Sequence, residues 1–491
     1  MRHTYLSRPL GSALLLLSLV IPFKALALEC EYIVLNNWGS GFTAEVVLTN
    51  STEAAVTDWE VVWQYQGSTT ISHIWNAELL SESPIRASHA GWNATIAPGS
   101  STSFGFQATG SDSDGVITQC GLSDDGSGGD DGSGGDDNGG GHDGGDGDAL
   151  SSVELTQQMG VGWNAGNSLD AIGGETAWGN PLLTQELFDA VKDAGFDNVR
   201  LPVAWSQFSD AENFVIKESW LARVEEVVNY ALDADLYVMI NIHWDEGWMQ
   251  PTYDQQAYVN NRLSIMWEQI ATHFKDYDDR LLFAGTNEVM VEGDYGTPTY
   301  EYYTVQNGFN QTFVDTVRQT GGNNDDRFLI VQGFNTNIDH AVNFAQMPTD
   351  TVDDRLLMEV HYYDPYNFTL NGDSNITQWG AIATDPDKSE TWANETYVDA
   401  QFQKMKSRFI DEGIGVILGE YGVISRPSVP DHETYRVYWN QYITESALAH
   451  GLVPVYWDNG YSAEHGLAIF DRHTTQPLYP AIIEAITGAV E

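Results

Sequence analysis

Two short stretches carry residues of the types and spacing that could do chemistry. Leu281-Leu282-Phe283-Ala284-Gly285-Thr286-Asn287-Glu288 is mostly apolar and ends on an amide and a carboxylate. Gly415-Val416-Ile417-Leu418-Gly419-Glu420-Tyr421-Gly422 has the same form and also ends on Glu. A buried strand that stops on polar residues places them at its C-terminal rim, where parallel β/α architectures bind ligands. Either Glu alone is equally well a rim ion pair. Two together suit an acid/base and a nucleophile acting on a glycosidic bond.

The elements that would position them follow from residue 150 onward. Apolar runs at 160–164, 198–202, 237–243, 281–288, 328–332, 356–363, 415–421 and 452–458 read as strands. Amphipathic segments lie between them, among them 186–194, 221–234, 259–274, 302–320, 397–412 and 433–449. Eight strand–helix units predict an α/β fold, a (β/α)8 TIM barrel, over 150–491. A doubly wound open sheet lacks support, because no glycine-rich phosphate fingerprint follows the first strand. Nearly every predicted strand ends on polar or aromatic residues: Trp163-Asn164, Arg200, His243-Trp244-Asp245, Asn287-Glu288, Glu359-Val360-His361-Tyr362-Tyr363, Glu420 and Trp457-Asp458. A lone His or Arg at such a place is usually structural; so many on one rim are harder to explain that way.

Upstream the chain changes character. Residues 1–27 have a basic start (Arg2, Arg8), an apolar stretch and Ala25-Leu26-Ala27, the pattern of a secretory signal cleaved after Ala27. Residues 28–122 alternate short β-type runs with turns and predict a small all-β antiparallel sandwich. Cys30 and Cys120 are the only cysteines. In an exported chain they should pair, which contributes about 4–5 kcal/mol by the loop-entropy model. Residues 123–149 are Gly, Asp and Ser, too poor in apolar groups to fold, and predict a flexible, disordered linker. Its Gly/Asp content faintly suggests calcium, but no repeat period is kept, so the plain tether is preferred.

The formal net charge is −49, from 70 acidic against 21 basic residues among 491. That excludes nucleic acid and anionic membrane as natural partners and suits a neutral substrate. It also suggests salt tolerance, since screening relieves self-repulsion.

Residues 155–488 resemble glycoside hydrolase family 5, the retaining (β/α)8 glycosidases typified by endoglucanases. The resemblance rests on Gly162-Trp163-Asn164-Ala165-Gly166-Asn167-Ser168-Leu169-Asp170, Asn287-Glu288, Val360-His361 and Pro365-Tyr366-Asn367-Phe368. These are most similar to the branch acting on β-1,4-glucans, xyloglucan and mixed-linkage glucans. By resemblance Glu288 is the proton donor and base, and Glu420 the nucleophile. Arg200, His243, Asn287, His361, Tyr363 and Trp457 complete the active site. Chemistry then asks Glu288 to carry a raised pKa and Glu420 to stay ionised. Arg200 would hold the Glu420 charge, Tyr363 and His361 would orient the two carboxyls, and Asn287 and His243 would donate to sugar hydroxyls. Trp457 would stack under the sugar. Two residues depart from the family pattern: Val289 stands where Pro usually follows the acid, and Trp244 where a second His usually follows His243. Trp178, Trp205 and Trp248 are candidates for neighbouring subsites or, equally, for the core.

Residues from Cys30 to Cys120 resemble carbohydrate-binding module family 2. Trp38, Trp75 and Trp92 match its three exposed tryptophans, suited to the flat face of cellulose, and Trp59 matches its buried one. Together the resemblances imply a secreted, monomeric, retaining endo-β-1,4-glucanase acting on cellulose and soluble β-glucans, needing no metal or other cofactor. Xyloglucan, lichenan or mannan as substrate, or a catalytically dead carbohydrate-binding protein, are the alternatives.

Overall fold

The computed structural model describes residues 28–122, with short breaks, and 150–490. The expected signal and the expected linker lie outside the described residues. The chain divides into two compact units, within residues 1–142 and 143–491.

Among the described residues, the first unit is a sandwich of eight strands: β1 (Glu29–Asn37), β2 (Gly41–Thr49), β3 (Trp59–Gln64), β4 (Thr70–Trp75), β5 (Ala77–Glu82), β6 (Ile85–His89), β7 (Ser101–Thr109) and β8 (Val116–Leu122). They form two antiparallel sheets, ordered β1-β2-β7-β4 and β5-β6-β3-β8. Period-two alternation puts Phe42, Ala44, Val46 and Leu48 of β2 on the inner face. Trp59 and Trp63 of β3 reach across to the other sheet. They stack on Phe104 and Phe106, with ring centroids 5.6 and 5.1 Å apart. The expected Cys30–Cys120 disulfide is present, with Cα atoms 5.9 Å apart. It joins β1 of one sheet to β8 of the other.

The second unit is the expected barrel. Strands β9 (Gly162–Ala165), β10 (Asn198–Leu201), β11 (Tyr237–Asn241), β12 (Leu281–Ala284), β13 (Leu329–Gln332), β14 (Leu356–Tyr362), β15 (Gly415–Tyr421) and β16 (Leu452–Asp458) close on themselves, all parallel. A helix follows each strand, from Gln185–Asp193 after β9 to Pro480–Thr487 after β16. Alternation divides each strand between two cores. Val199, Leu201, Ile240, Phe283, Val331, Met358, Val360 and Leu418 pack outward under the helices. Met239, Leu282, Ile330, Leu357, Ile417 and Val453 fill the lower interior. Leu155 of helix Ser152–Gln158 and its C-cap Met159 join that interior cluster, and Ser151 and Glu154 start the helix with a capping box. Several expected strands are shorter than their patterns: β11 stops at Asn241, β12 at Ala284 and β14 at Tyr362, so His243, Asn287, Glu288 and Tyr363 sit on the loops beyond them.

Candidate active site

The same alternation that lines the lower barrel with Leu and Ile lines its upper end with polar groups. On β14, Leu357 faces inward, and so do Glu359 and His361 two and four residues on. On β10 the inward residue is Arg200, between the outward Val199 and Leu201.

On β15 plain alternation would fail. Ile417 faces inward and Leu418 outward, so Glu420 should face the helices. A β-bulge intervenes. Val360 pairs with Leu418 but His361 pairs with Glu420, which leaves Gly419 as the extra residue. The phase slips by one, Glu420 turns inward, and Tyr421 turns out into the helix-side core. Gly419 has no room for a side chain, because a Cβ there would lie 2.0 Å from Glu359 Oε1.

Arg200 is the hub, fully buried. Its Nε lies 2.9 Å from Glu359 Oε1, and its Nη1 is 3.0 Å from Glu420 Oε1. Nη1 also donates to Asn164 Oδ1 (3.0 Å) and Nη2 to Asn287 Oδ1 (2.6 Å). Asn287 thereby keeps its NH2 group as a donor. Tyr363 donates to the other Glu420 oxygen at 3.0 Å. His361 Nδ1 is 2.7 Å from Glu288 Oε1, and its Nε2 is 3.1 Å from Glu359 Oε1. An oxygen of Glu288 lies within 4.8 Å of one of Glu420.

Glu288 itself is in the left-handed region (φ +49°), an unusual backbone for a carboxylate residue. Its N–H donates to Gln332 Oε1 at 3.0 Å, and the following Val289 carbonyl accepts from the Asn335 N–H at 2.9 Å. Residues at and beyond the end of β13 thus fix the backbone where the family pattern has a proline.

Electrostatics follow from this packing. Burial alone would lower the His361 pKa, but the charges of Glu420, Glu288 and Glu359 raise it to about 9. Desolvation pushes Glu288 up although 43% of its side chain is exposed, yet the His361 hydrogen bond and charge, with Arg200, outweigh it and hold the carboxyl below its usual value. At Glu420, burial and the Glu288 charge prevail over His361 and Arg200, and the carboxyl is raised. This corrects the expectation that Glu288 holds the site's proton at rest. The directions of these shifts favour the proton on His361, at the other end of a 2.7 Å hydrogen bond. Burial, with Arg200 and His361 beside it, keeps His243 neutral. Asn241 Oδ1 accepts from the Val203 N–H, so its Nδ2 faces His243 Nδ1 at 3.1 Å. That leaves the His243 proton on Nε2, available to a hydroxyl. The imidazole stacks on Trp457, with centroids 5.6 Å apart and planes 7° from parallel. Tyr363 is raised well above its usual value, by burial first and then the Glu420 charge, so it remains a donor.

All eight expected barrel-site residues therefore meet. Four supporting residues had no assigned role: Glu359, Asn164, Gln332 and Gly419. Glu359 was visible two residues before His361 on the same strand face. The other tryptophans separate. Trp205 is fully buried and donates to the Asn241 carbonyl, so of its two readings, subsite and core, the core one holds. Trp248 is half-buried against the core, and Trp178 is exposed. Trp38 and Trp92 lie outside the described residues; Trp75 closes β4, and its side chain is likewise outside them. Among the described residues, no helix is long and apolar enough to cross a membrane.

Comparison with known proteins agrees with this geometry. The pattern of the family described as Cellulase (glycosyl hydrolase family 5) matches residues 163–463, and that of a cellulose binding domain matches 28–125. Endoglucanase A of Paenibacillus barcinonensis is 40% identical over 365 residues, covering 70% of this chain and 91% of that protein. A xyloglucan-specific endo-beta-1,4-glucanase of Bacteroides ovatus is 45% identical over 356 residues, covering 69% of this chain and 70% of that one. Among solved structures, a family 5 xyloglucanase from Paenibacillus pabuli in complex with ligand matches with a TM-score of 0.67 at 42% identity. It covers 69% of this chain and 100% of its own. Shared over the whole barrel and not only at the carboxylates, this similarity makes the chain a member of the cellulase family, glycosyl hydrolase family 5.

Proposed function

We propose that the chain is a secreted, monomeric endo-β-1,4-glucanase that cleaves β-glucans with retention. Residues 1–27 are its signal, 28–122 its cellulose-binding module, 123–149 a tether and 150–491 the hydrolase. The observation that carries the reading is the pair of carboxylates with oxygens within 4.8 Å of each other. Retaining enzymes hold them about 5–5.5 Å apart, and inverting ones about 6.5–9.5 Å to admit a water.

In the first step Glu420 attacks the anomeric carbon while the leaving oxygen takes a proton from Glu288. Glu288⁻ with protonated His361, and protonated Glu288 with neutral His361, differ only by where one proton sits along their hydrogen bond. A sugar oxygen placed against Glu288 draws that proton through. Arg200 and Tyr363 hold one Glu420 oxygen each, which fixes the attacking group and its charge. In the second step Glu288 takes a proton from water, the water oxygen attacks the anomeric carbon, and Glu420 departs as carboxylate. The proton is thereby returned to the Glu288–His361 pair. Asn287 NH2 and His243 Nε2–H donate to hydroxyls of the same sugar, and Trp457 underlies it.

Glu420→Gln and Glu288→Gln should each lower reducing-sugar release from a soluble β-glucan by about 10³-fold or more, while cellulose pull-down persists. Hydrolysis surviving both changes would sink the assignment. Relatives named as xyloglucan-specific make xyloglucan the second substrate to try, and a panel with lichenan and mannan ranks the alternatives.

A further inference from the structure

Strand β13 ends on Gln332, a fully buried amide that neither step of the reaction uses directly. Its register partner on β14 is Glu359, and the two side chains share the inner side of the barrel. Gln332 Oε1 accepts from the Glu288 N–H at 3.0 Å. That fixes which end of the amide faces Glu288 and turns Nε2 toward Glu359. Nε2 and Glu359 Oε2 are both buried, and neither makes a close hydrogen bond of its own. The amide still acts on that carboxyl: burial raises Glu359, and Arg200, His361 and the Gln332 amide together outweigh it and hold it below its usual value. The other Glu359 oxygen serves Arg200 Nε and His361 Nε2. The main chain of Gln332 is held as closely as its side chain. Its carbonyl accepts from two amides of helix Tyr300–Gln319, Gln306 Nε2 at 3.2 Å and Asn310 Nδ2 at 2.8 Å. The next residue, Gly333, sits against helix Ile338–Phe344, where a Cβ would lie 2.8 Å from the Ala341 Cα.

A carboxyl passes its proton only to an oxygen its own oxygen points at, so the aim of the side chain matters as much as its acidity. Glu288 stands on left-handed backbone beyond the end of β12, and its side chain is partly exposed. Without an acceptor at its N–H, that backbone would leave a donor unpaired and relax toward an ordinary conformation. Glu420 hangs on other supports, Arg200 and Tyr363. We propose that Gln332 is a positioning residue for proton transfer by Glu288: it holds the backbone of the acid in a chain that has Val289 next to it, and so aims the carboxyl at the leaving oxygen. The inference rests on the β-glucan hydrolase reading above. Gln332 touches neither the attacking oxygen of Glu420 nor the groups that hold its charge, so its contribution falls on proton transfer and not on the attack at carbon.

The test compares a leaving group that needs a proton with one that does not, in steady-state kinetics of the full chain. A cello-oligosaccharide expels an alcohol, which must be protonated as the bond breaks. Dinitrophenyl β-cellobioside expels a phenolate that departs as the anion. Gln332→Met keeps the length of the side chain and removes the acceptor. It should lower kcat/KM on the cello-oligosaccharide about 30- to 100-fold and on the aryl glycoside less than about 3-fold. On the aryl glycoside kcat and KM should fall together, because the second step still takes Glu288 as its base. Asn310→Ala loosens the Gln332 carbonyl from the helix side. It should show the same one-sided loss at about 3- to 10-fold, and add little to Gln332→Met. Should Gln332→Met fail to fold, Asn310→Ala decides alone by the same criterion. Equal losses on the two substrates would overturn the proposal, since general damage to the site spares neither. So would parental kcat/KM on both. A parent chain inactive on both would overturn the hydrolase reading, and this proposal with it.

Discussion

The lower and upper halves of the barrel interior are built from the same eight strands and do opposite work. Two residues along β14 separate Leu357, in an apolar plug, from Glu359, in a buried ion-pair network. The lower half contributes stability by excluding water from Leu and Ile side chains. The upper half spends some of that stability to bury Arg200, Glu359 and Glu420, charges whose desolvation is offset only by one another. The difference teaches that in this fold chemistry is a matter of height along a strand. A small displacement at the top should ruin catalysis and spare the fold, and the converse should hold below.

Gly419→Ala should break the upper half most severely. The added Cβ must displace the Glu359 carboxylate, which braces both Arg200 and His361. We expect kcat/KM on a soluble glucan to fall about 100-fold, the scale set by roughly 1 Å misplacements, with far-UV dichroism intact. Near-parental activity would mean that the bulge tolerates a side chain. Leu282→Ala tests the lower half. It should cost about 2–5 kcal/mol in denaturant unfolding and leave kcat per folded molecule nearly unchanged. A large kcat loss would show that the two halves are not separable.

The smallest effect is on pH. The His361 pKa is raised to about 9 from 6.5, so its proton stabilises the folded site fully below the unfolded value. That contribution disappears as pH rises through about 9, and the acid of the first step goes with it. Glu359→Gln removes one of the carboxylates that hold the proton. The alkaline limb of kcat/KM should therefore move down by about one unit. An unmoved limb would contradict the placement of the proton on His361.

Much of this was legible in the sequence because the barrel repeats one rule. Apolar runs ending on polar residues marked the strands, and Arg200, His243, Asn287, Glu288, His361, Tyr363, Glu420 and Trp457 proved to share one rim, whereas Trp163 and Tyr362 turn into the helix-side core. What was not legible depends on contacts distant in sequence. The run to Glu288 reads as one strand, but β12 ends at Ala284 and Glu288 takes a left-handed turn beyond it. Period-two alternation places Glu420 on the wrong face, and only the bulge at Gly419 corrects it. Trp205 sits among polar rim residues in sequence, yet the fold buries it completely. The resting place of the proton is set by residues 288, 359 and 420 converging on one imidazole, which no local pattern encodes.

The central claim is that Glu420 attacks carbon directly, with no water between the two carboxylates. Time-resolved proton NMR of a soluble β-1,4-glucan digest reads it most directly. The account predicts that the new reducing ends appear first as the β-anomer and then mutarotate. An initial α-anomer would mean inversion, and would contradict the double displacement through Glu420.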